Sequence, residues 1–366
     1  MTARLPLLLV AMLLLFNGVA AGLVRLGWAM PLAQPALPLL HGGLMVSGFL
    51  GTLISLERAV ALGRPWGYLA PAVTAVGGLA LLAAPAAAWP LLSMALGSLV
   101  LLAVFLALLR RRVDLATGCM ALAVVWWLAG NILWWRGWPL FVVVLWWMAF
   151  LLWTIAGERL ELSRFQRRGP WSLAFFSAAL LLTAAGALAK TLALLEAPWG
   201  PAAGDRLFAL GLVAMTAWLY RFDIARRSLR QGGLPRFIAL CLLSGYGWLG
   251  GAGVLVLGGG GLLAGPHYDA VLHAFFVGFV FAMIFGHAPI IFPAVLGWPV
   301  AFRRRFYLHL CLLHLGLALR VAAGTAGWRD GMLWGGLANG AALALFLVST
   351  LGAVLEARAA NTHDRP

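Results

Sequence analysis

The feature that most constrains this chain is the spacing of its apolar runs. Charged residues gather in short clusters, and between the clusters the chain stays apolar for about twenty residues at a time, enough for a helix to cross a bilayer. In hydrocarbon every backbone N–H and C=O must be satisfied internally, which makes runs of this length helices. Twelve spans are expected, at about 5–24, 36–57, 67–87, 89–109, 114–135, 138–157, 171–194, 207–222, 236–257, 267–288, 305–324 and 332–355. The fold class is therefore all-α, a polytopic membrane protein, with residues 1–366 forming a single integral membrane domain. Composition agrees: 63% of residues are hydrophobic and 10% charged, against roughly 25% charged in a soluble domain.

The net charge of +15 is a topology signal and not a nucleic-acid footprint. Clusters such as Arg110, Arg111 and Arg112, or Arg303, Arg304 and Arg305, all fall on one set of loops. Only six of the 26 basic residues fall on the other set: Arg25, Arg136, Lys190, Arg206, Arg320 and Arg329. The rich side is expected to be cytoplasmic. That puts both termini inside, with even-numbered spans running from outside to inside. The first span has a second reading as a signal peptide, with Arg4, an apolar run and then Gly18-Val19-Ala20. Its run is longer than a usual signal core, and a retained helix is expected.

Cys119, Cys241 and Cys311 lie in three different spans without a C-x-x-C-H motif, which argues against a disulfide framework and covalent haem attachment. Seven of the tryptophans, Trp28 and Trp328 among them, fall at expected span ends as an interfacial belt. Trp126-Trp127 and Trp146-Trp147 are mid-span and face either lipid or a cofactor.

An internal repeat is visible. Span 2 ends with Phe49, Ile54, Glu57 and Arg58, and span 6 with Phe150, Ile155, Glu158 and Arg159 at the same relative places. Span 10 offers Phe279, Ile284 and, at the glutamate position, His287. The pattern predicts three related four-span units, roughly 1–112, 113–230 and 231–358, with spans 2, 6 and 10 equivalent. In that register Glu57, Glu158 and His287 are cytoplasmic-end residues, the glutamates pairing with neighbouring arginines.

Ionisable groups inside spans are costly and therefore informative. His41 opens span 2, and His273 lies one to two turns into span 10. At ~1.5 Å rise per residue both imidazoles fall in the outer third of the bilayer. Equal depth on two helices is what bis-histidine ligation of a haem iron requires, and neutral imidazole offers a lone pair without burying a charge. Gly42, Gly43 and Gly48 flank His41, Gly278 follows His273, and Phe275, Phe276 and Phe279 are placed to pack on a macrocycle. Asp269 precedes His273 by four residues on the same face, where it either orients a histidine or haem edge or sits exposed at the helix end. Arg320, near the outer end of span 11, is the candidate partner for a haem propionate, with Lys190 at similar depth. His267 is expected at the outer surface. His287, His309 and His314 are weaker candidates for a second metal such as copper. Pro289 and Pro293 are expected to end or kink span 10. His363, in a polar tail, is assigned nothing.

The twelve spans, the three four-helix units and the histidines near the outer ends of spans 2 and 10 resemble subunit I of the haem–copper oxidases, in which these two spans carry the low-spin haem ligands. That family's copper-site histidines lie on spans 6 and 7, which have no histidine here, and span 10 lacks the family's paired histidines. A haem–copper centre reducing oxygen or nitric oxide is not expected. HGGLMVSGFLGTLISLERA and LHAFFVGFVFAMIFGHAP are more similar to the histidine-bearing segments of the NnrS-like family, haem- and copper-containing polytopic membrane proteins linked to nitric oxide metabolism or protection. The resemblance implies a protein of the bacterial inner membrane with a non-covalent b-type haem, and a small gaseous ligand such as nitric oxide.

The reading is a haem-binding membrane protein with His41 and His273 as axial ligands and Arg320 as propionate partner. A six-coordinate iron suits electron transfer or sensing. Substrate catalysis needs an open metal position, so no catalytic residue is assigned. The alternatives are a secondary transporter of a small solute, against which stands the location of the charges at span ends, and a cofactor-free assembly factor.

Overall fold

The computed structural model describes residues 4–30, 36–163 and 169–363. Among them every regular element is helical, and 12 helices are long and apolar enough to cross a membrane. These are α1 (Arg4–Leu26), α2 (Leu37–Leu62), α3 (Pro65–Ala83), α4 (Trp89–Arg111), α5 (Leu115–Trp135), α6 (Leu140–Leu162), α7 (Pro170–Ala193), α8 (Pro201–Phe222), α9 (Gly233–Gly259), α10 (Gly265–Leu296), α11 (Phe306–Thr325) and α12 (Arg329–Ala359). The protein is an all-α, multi-pass protein of the membrane type. Arg164, Arg167, Arg168 and Arg365, which contribute to the orientation count, lie outside the described residues, as does the side chain of His363.

The chain divides into two compact units, residues 1–165 with α1–α6 and residues 166–366 with α7–α12. The boundary lies within the second expected repeat unit, residues 113–230. Compactness reflects which helices pack on which, whereas the repeat is a statement about sequence register. In the first unit α2 packs against α1, α3 and α4, and α5 packs against α4 and α6. In the second unit α7 packs on α8, α8 on α9 and α11 on α12, and α10 lies against α9 and α11.

Two helices depart from simple α geometry. α2 turns into a π-helix over Leu44–Leu50, and α10 does so over Ala274–Phe281. In α2 the Gly51 N–H accordingly reaches the Val46 carbonyl, five residues back. π segments inside α-helices are rare and are common at functional sites. The offset that relates Phe49 to Phe279 and Ile54 to Ile284 also relates Leu44 to Ala274, where the two segments begin. α6, the third helix of the expected set, is α-helical throughout. It is also buried along residues 142–157 without a break, as an all-round apolar helix should be.

α10 neither ends nor loses its helical assignment at Pro289 and Pro293. It runs on to Leu296, where Gly297 closes it at φ +71 and donates its N–H to the Pro293 carbonyl at 2.8 Å. Each proline removes one N–H, but abandoning the helix in an apolar segment would orphan many more backbone groups.

Candidate functional site

In the first unit, His41 lies three residues before the π segment of α2 and turns its ring toward α1. Its Nδ1 is 2.7 Å from the Gly18 carbonyl oxygen. A carbonyl only accepts, so Nδ1 carries the proton and Nε2 is the lone-pair nitrogen. The approach depends on Gly22, one turn along α1. A Cβ there would stand 2.8 Å from Cε1 of His41 and 2.9 Å from its Nδ1.

The π segment beside His41 is held by a neutral hydrogen-bond network. Ser47, within the segment, donates to Asn131 Oδ1 at 2.7 Å and accepts from Trp127 Nε1 at 3.1 Å. Asn131 Oδ1 also accepts from Trp147 Nε1 at 3.0 Å, and its Nδ2 donates to the Met94 carbonyl at 3.4 Å. Ser47 and Asn131 are fully buried. The mid-span tryptophans therefore serve the interior of this unit: Trp127 stacks on Phe150, and Trp126 packs against Trp146 and Trp153. At the other end of α2, Arg58 Nη2 bonds Glu57 at 2.7 Å and Glu158 of α6 at 2.9 Å. The expected pairing of the repeat-position glutamates with arginine is present.

In the second unit, His273 immediately precedes the π segment of α10. Its Nδ1 lies 2.8 Å from the Asp269 carbonyl oxygen, one turn back on the same helix, and 3.3 Å from the Asp269 carboxylate Oδ1. The tautomer is fixed as in His41, with Nε2 as the lone-pair nitrogen. Arg320 of α11 grips the same carboxylate through both arms, Nε to Oδ2 at 2.8 Å and Nη2 to Oδ1 at 2.7 Å. The candidate propionate partner is thus engaged by Asp269, and a propionate would meet it through the N–H groups this pair leaves, two on Nη1 and one on Nη2.

Beside this cluster, Gly278 of the π segment packs against Trp248 of α9, so closely that any Cβ would collide with the indole. Trp248 Nε1 donates to His314 Nδ1 at 3.0 Å, and His314 Nε2 meets Ser244 Oγ at 2.8 Å. The His314 lone pair is committed to an indole. His309 is 1% exposed, enclosed by Phe237, Phe285, Phe306 and Phe346, and neither ring nitrogen has a hydrogen-bond partner among the described residues. His287 Nδ1 bonds the Met283 carbonyl at 2.7 Å. The three weaker candidates thus sit in three different environments. Among the described residues no group of three or more His, Cys, Asp and Glu is arranged to hold a metal ion. His267 packs on Gly259.

Lys190 has a partner that sequence reasoning missed. Its Nζ lies 2.7 Å from Asp205 Oδ1 and 2.7 Å from the Leu262 carbonyl, while Asp205 Oδ2 accepts the Leu262 N–H at 2.8 Å. Both charges are buried, at 0% and 1% exposure. This closed ring joins α7 and α8 to the segment before α10. Asp205 lies near the start of α8, a stretch placed outside the membrane by the expected span boundary at 207, and that placement hides its pairing.

The donor chemistry of His41 and His273 fits haem iron. Metal-bound imidazoles almost always give their other ring N–H to a carbonyl or carboxylate, which fixes the tautomer and ring orientation. Both histidines have that arrangement, each within its own unit.

Comparison with curated proteins finds no match. A family model described as a domain of unknown function, DUF8744, matches residues 4–355. The match covers all twelve helices apart from the last few residues of α12, and the chain belongs to the DUF8744 family.

Proposed function

We propose that this protein binds haem in the membrane and works in electron transfer or sensing, with His41 and His273 as the residues that would hold its iron through Nε2. One observation carries the reading. In each of the two π-bearing helices a histidine precedes the π segment, by three residues in α2 and directly in α10, with its Nδ1–H turned onto a carbonyl. The third helix of the set, α6, has neither histidine nor π segment.

A bound haem supplies a one-electron couple. The chain's own part is to present two lone-pair nitrogens, to hold each ring, and to keep water away with apolar and aromatic neighbours such as Phe275 and Phe279, both fully buried. The similarity of the two histidine segments to the NnrS-like family supports a role near nitric oxide or nitrogen-oxide chemistry. The same resemblance supports an inner-membrane location, and the distribution of arginine supports cytoplasmic termini.

The test is the reduced-minus-oxidised visible spectrum of detergent-purified protein made with adequate haem supply. The expected result is a low-spin haem band, lost in both His41→Ala and His273→Ala. Absence of any band overturns the reading. A band that survives both substitutions unchanged overturns the ligand assignment.

A further inference from the structure

The cluster of Asp269, His273 and Arg320 has a consequence beyond ligand identity, one that rests on the haem reading. Asp269 contacts His273 twice. Its backbone carbonyl takes the main hydrogen bond at 2.8 Å, and its carboxylate stands 3.3 Å from the same nitrogen. At that distance the carboxylate is a secondary acceptor whose main contribution is negative potential at the ring. Its position is fixed by Arg320, which is 7% exposed and holds it bidentately from the neighbouring helix. A forked guanidinium pair fixes geometry as well as charge. His41 has no such arrangement in the hydrogen bond that holds it, because its acceptor is the neutral carbonyl of Gly18.

We propose that Asp269, clamped by Arg320, is a positioning residue that sets the electron-donating power of His273 toward haem iron. Negative potential at Nδ1–H pushes electron density to Nε2 and favours the ferric state. The arginine moderates this by neutralising most of the carboxylate's charge. The two residues therefore pull the haem midpoint potential in opposite directions. A pair that only fastened α10 to α11 would give the same outcome whichever partner was lost.

The experiment compares wild type, Asp269→Asn, Arg320→Gln and the double variant by redox titration and by electron paramagnetic resonance of the ferric haem, which reports imidazole basicity. Asp269→Asn is expected to raise the potential by an amount equivalent to about a tenfold change in the oxidation equilibrium, ~59 mV for one electron. Arg320→Gln is expected to lower it. The double variant, which leaves no unpaired charge, is expected to fall between the singles. The resonance g-values should move in opposite senses in the two single variants. Where Arg320→Gln does not accumulate, Arg320→Lys keeps the charge and loses the fork, and a smaller downward shift is expected. Shifts of the same sign, no shift, or a potential shift without movement of the g-values overturns the proposal and leaves the haem reading standing. A wild-type protein without haem overturns both.

Discussion

α2 and α10 carry the same device in two different settings. Each has a histidine shortly before a π segment, three residues ahead of it in α2 and directly ahead in α10, with Nδ1 turned to a carbonyl oxygen. His41 takes its acceptor from another helix, Gly18 of α1, and its π segment is held by neutral groups, Ser47, Asn131 and two indoles. His273 takes its acceptor from its own helix, and its surroundings use charge: Asp269 with Arg320 there, and Lys190 with Asp205 elsewhere in the same unit. The difference teaches that one imidazole tautomer can be fixed by tertiary packing or by local sequence. The first route depends on a helix–helix distance and the second on the carbonyl one turn back in the same helix.

The contrast can be broken on the charged side first. Lys190→Ala leaves the Asp205 carboxylate buried without its cation, and breaking a buried pair in this way typically costs about 3–5 kcal/mol. The midpoint of detergent-induced unfolding should fall accordingly, and a double Lys190→Met/Asp205→Leu variant should recover much of the loss. An unchanged midpoint in Lys190→Ala would mean that water reaches this pair and that the second unit does not depend on it.

On the neutral side, Asn131→Leu removes the shared acceptor of Ser47 and Trp147. The Ser47 hydroxyl can rotate onto a carbonyl of its own helix, which leaves the Trp147 indole as the orphaned buried donor, at a cost of about 1–3 kcal/mol. Destabilisation should therefore be clear but smaller, and the haem-band loss should track loosening of the π segment in α2. Equal or greater destabilisation than in Lys190→Ala would reverse the ranking of the two settings.

The smallest expected effect sharpens the contrast most. Gly22→Ala places a methyl 2.8 Å from the His41 ring, and because the imidazole can swing away the cost falls at the low end of overpacking, about 1 kcal/mol. The haem signal should weaken or its ligand spectrum shift, with little change in global unfolding. An unchanged spectrum would show that His41 does not need the Gly18 carbonyl.

Much of this was legible in the chain, and the physics explains which part. Apolar runs long enough to cross a bilayer leave the backbone no choice but a helix, so the twelve spans could be counted from hydropathy alone. His41 and His273 stood out because ionisable groups are rare in such runs. Asp269 was visible as a same-face neighbour of His273 by its four-residue spacing. Asp205 was not visible, because it fell outside the expected start of its span and its partner lies on another helix. Ser47 and Asn131 were equally hidden: a serine and an asparagine in separate spans carry no mark of their pairing. The π segments left no trace either, since a uniformly apolar stretch reads the same at either helical pitch. Of the two outcomes expected at Pro289 and Pro293, an end or a kink, the continuation of the helix to Leu296 sets aside the end, because lipid-embedded backbone favours staying helical over breaking.

The amino-acid sequence by itself determined the class of this protein, its helix count and the rarity of its intramembrane histidines, all set by the cost of placing polar groups in hydrocarbon. Tertiary structure decided which carbonyl fixes each imidazole, which charge meets which, and that Arg320 holds Asp269. Those outcomes depend on the distance and rotation between helices, and neither is written in the periodicity of any single span.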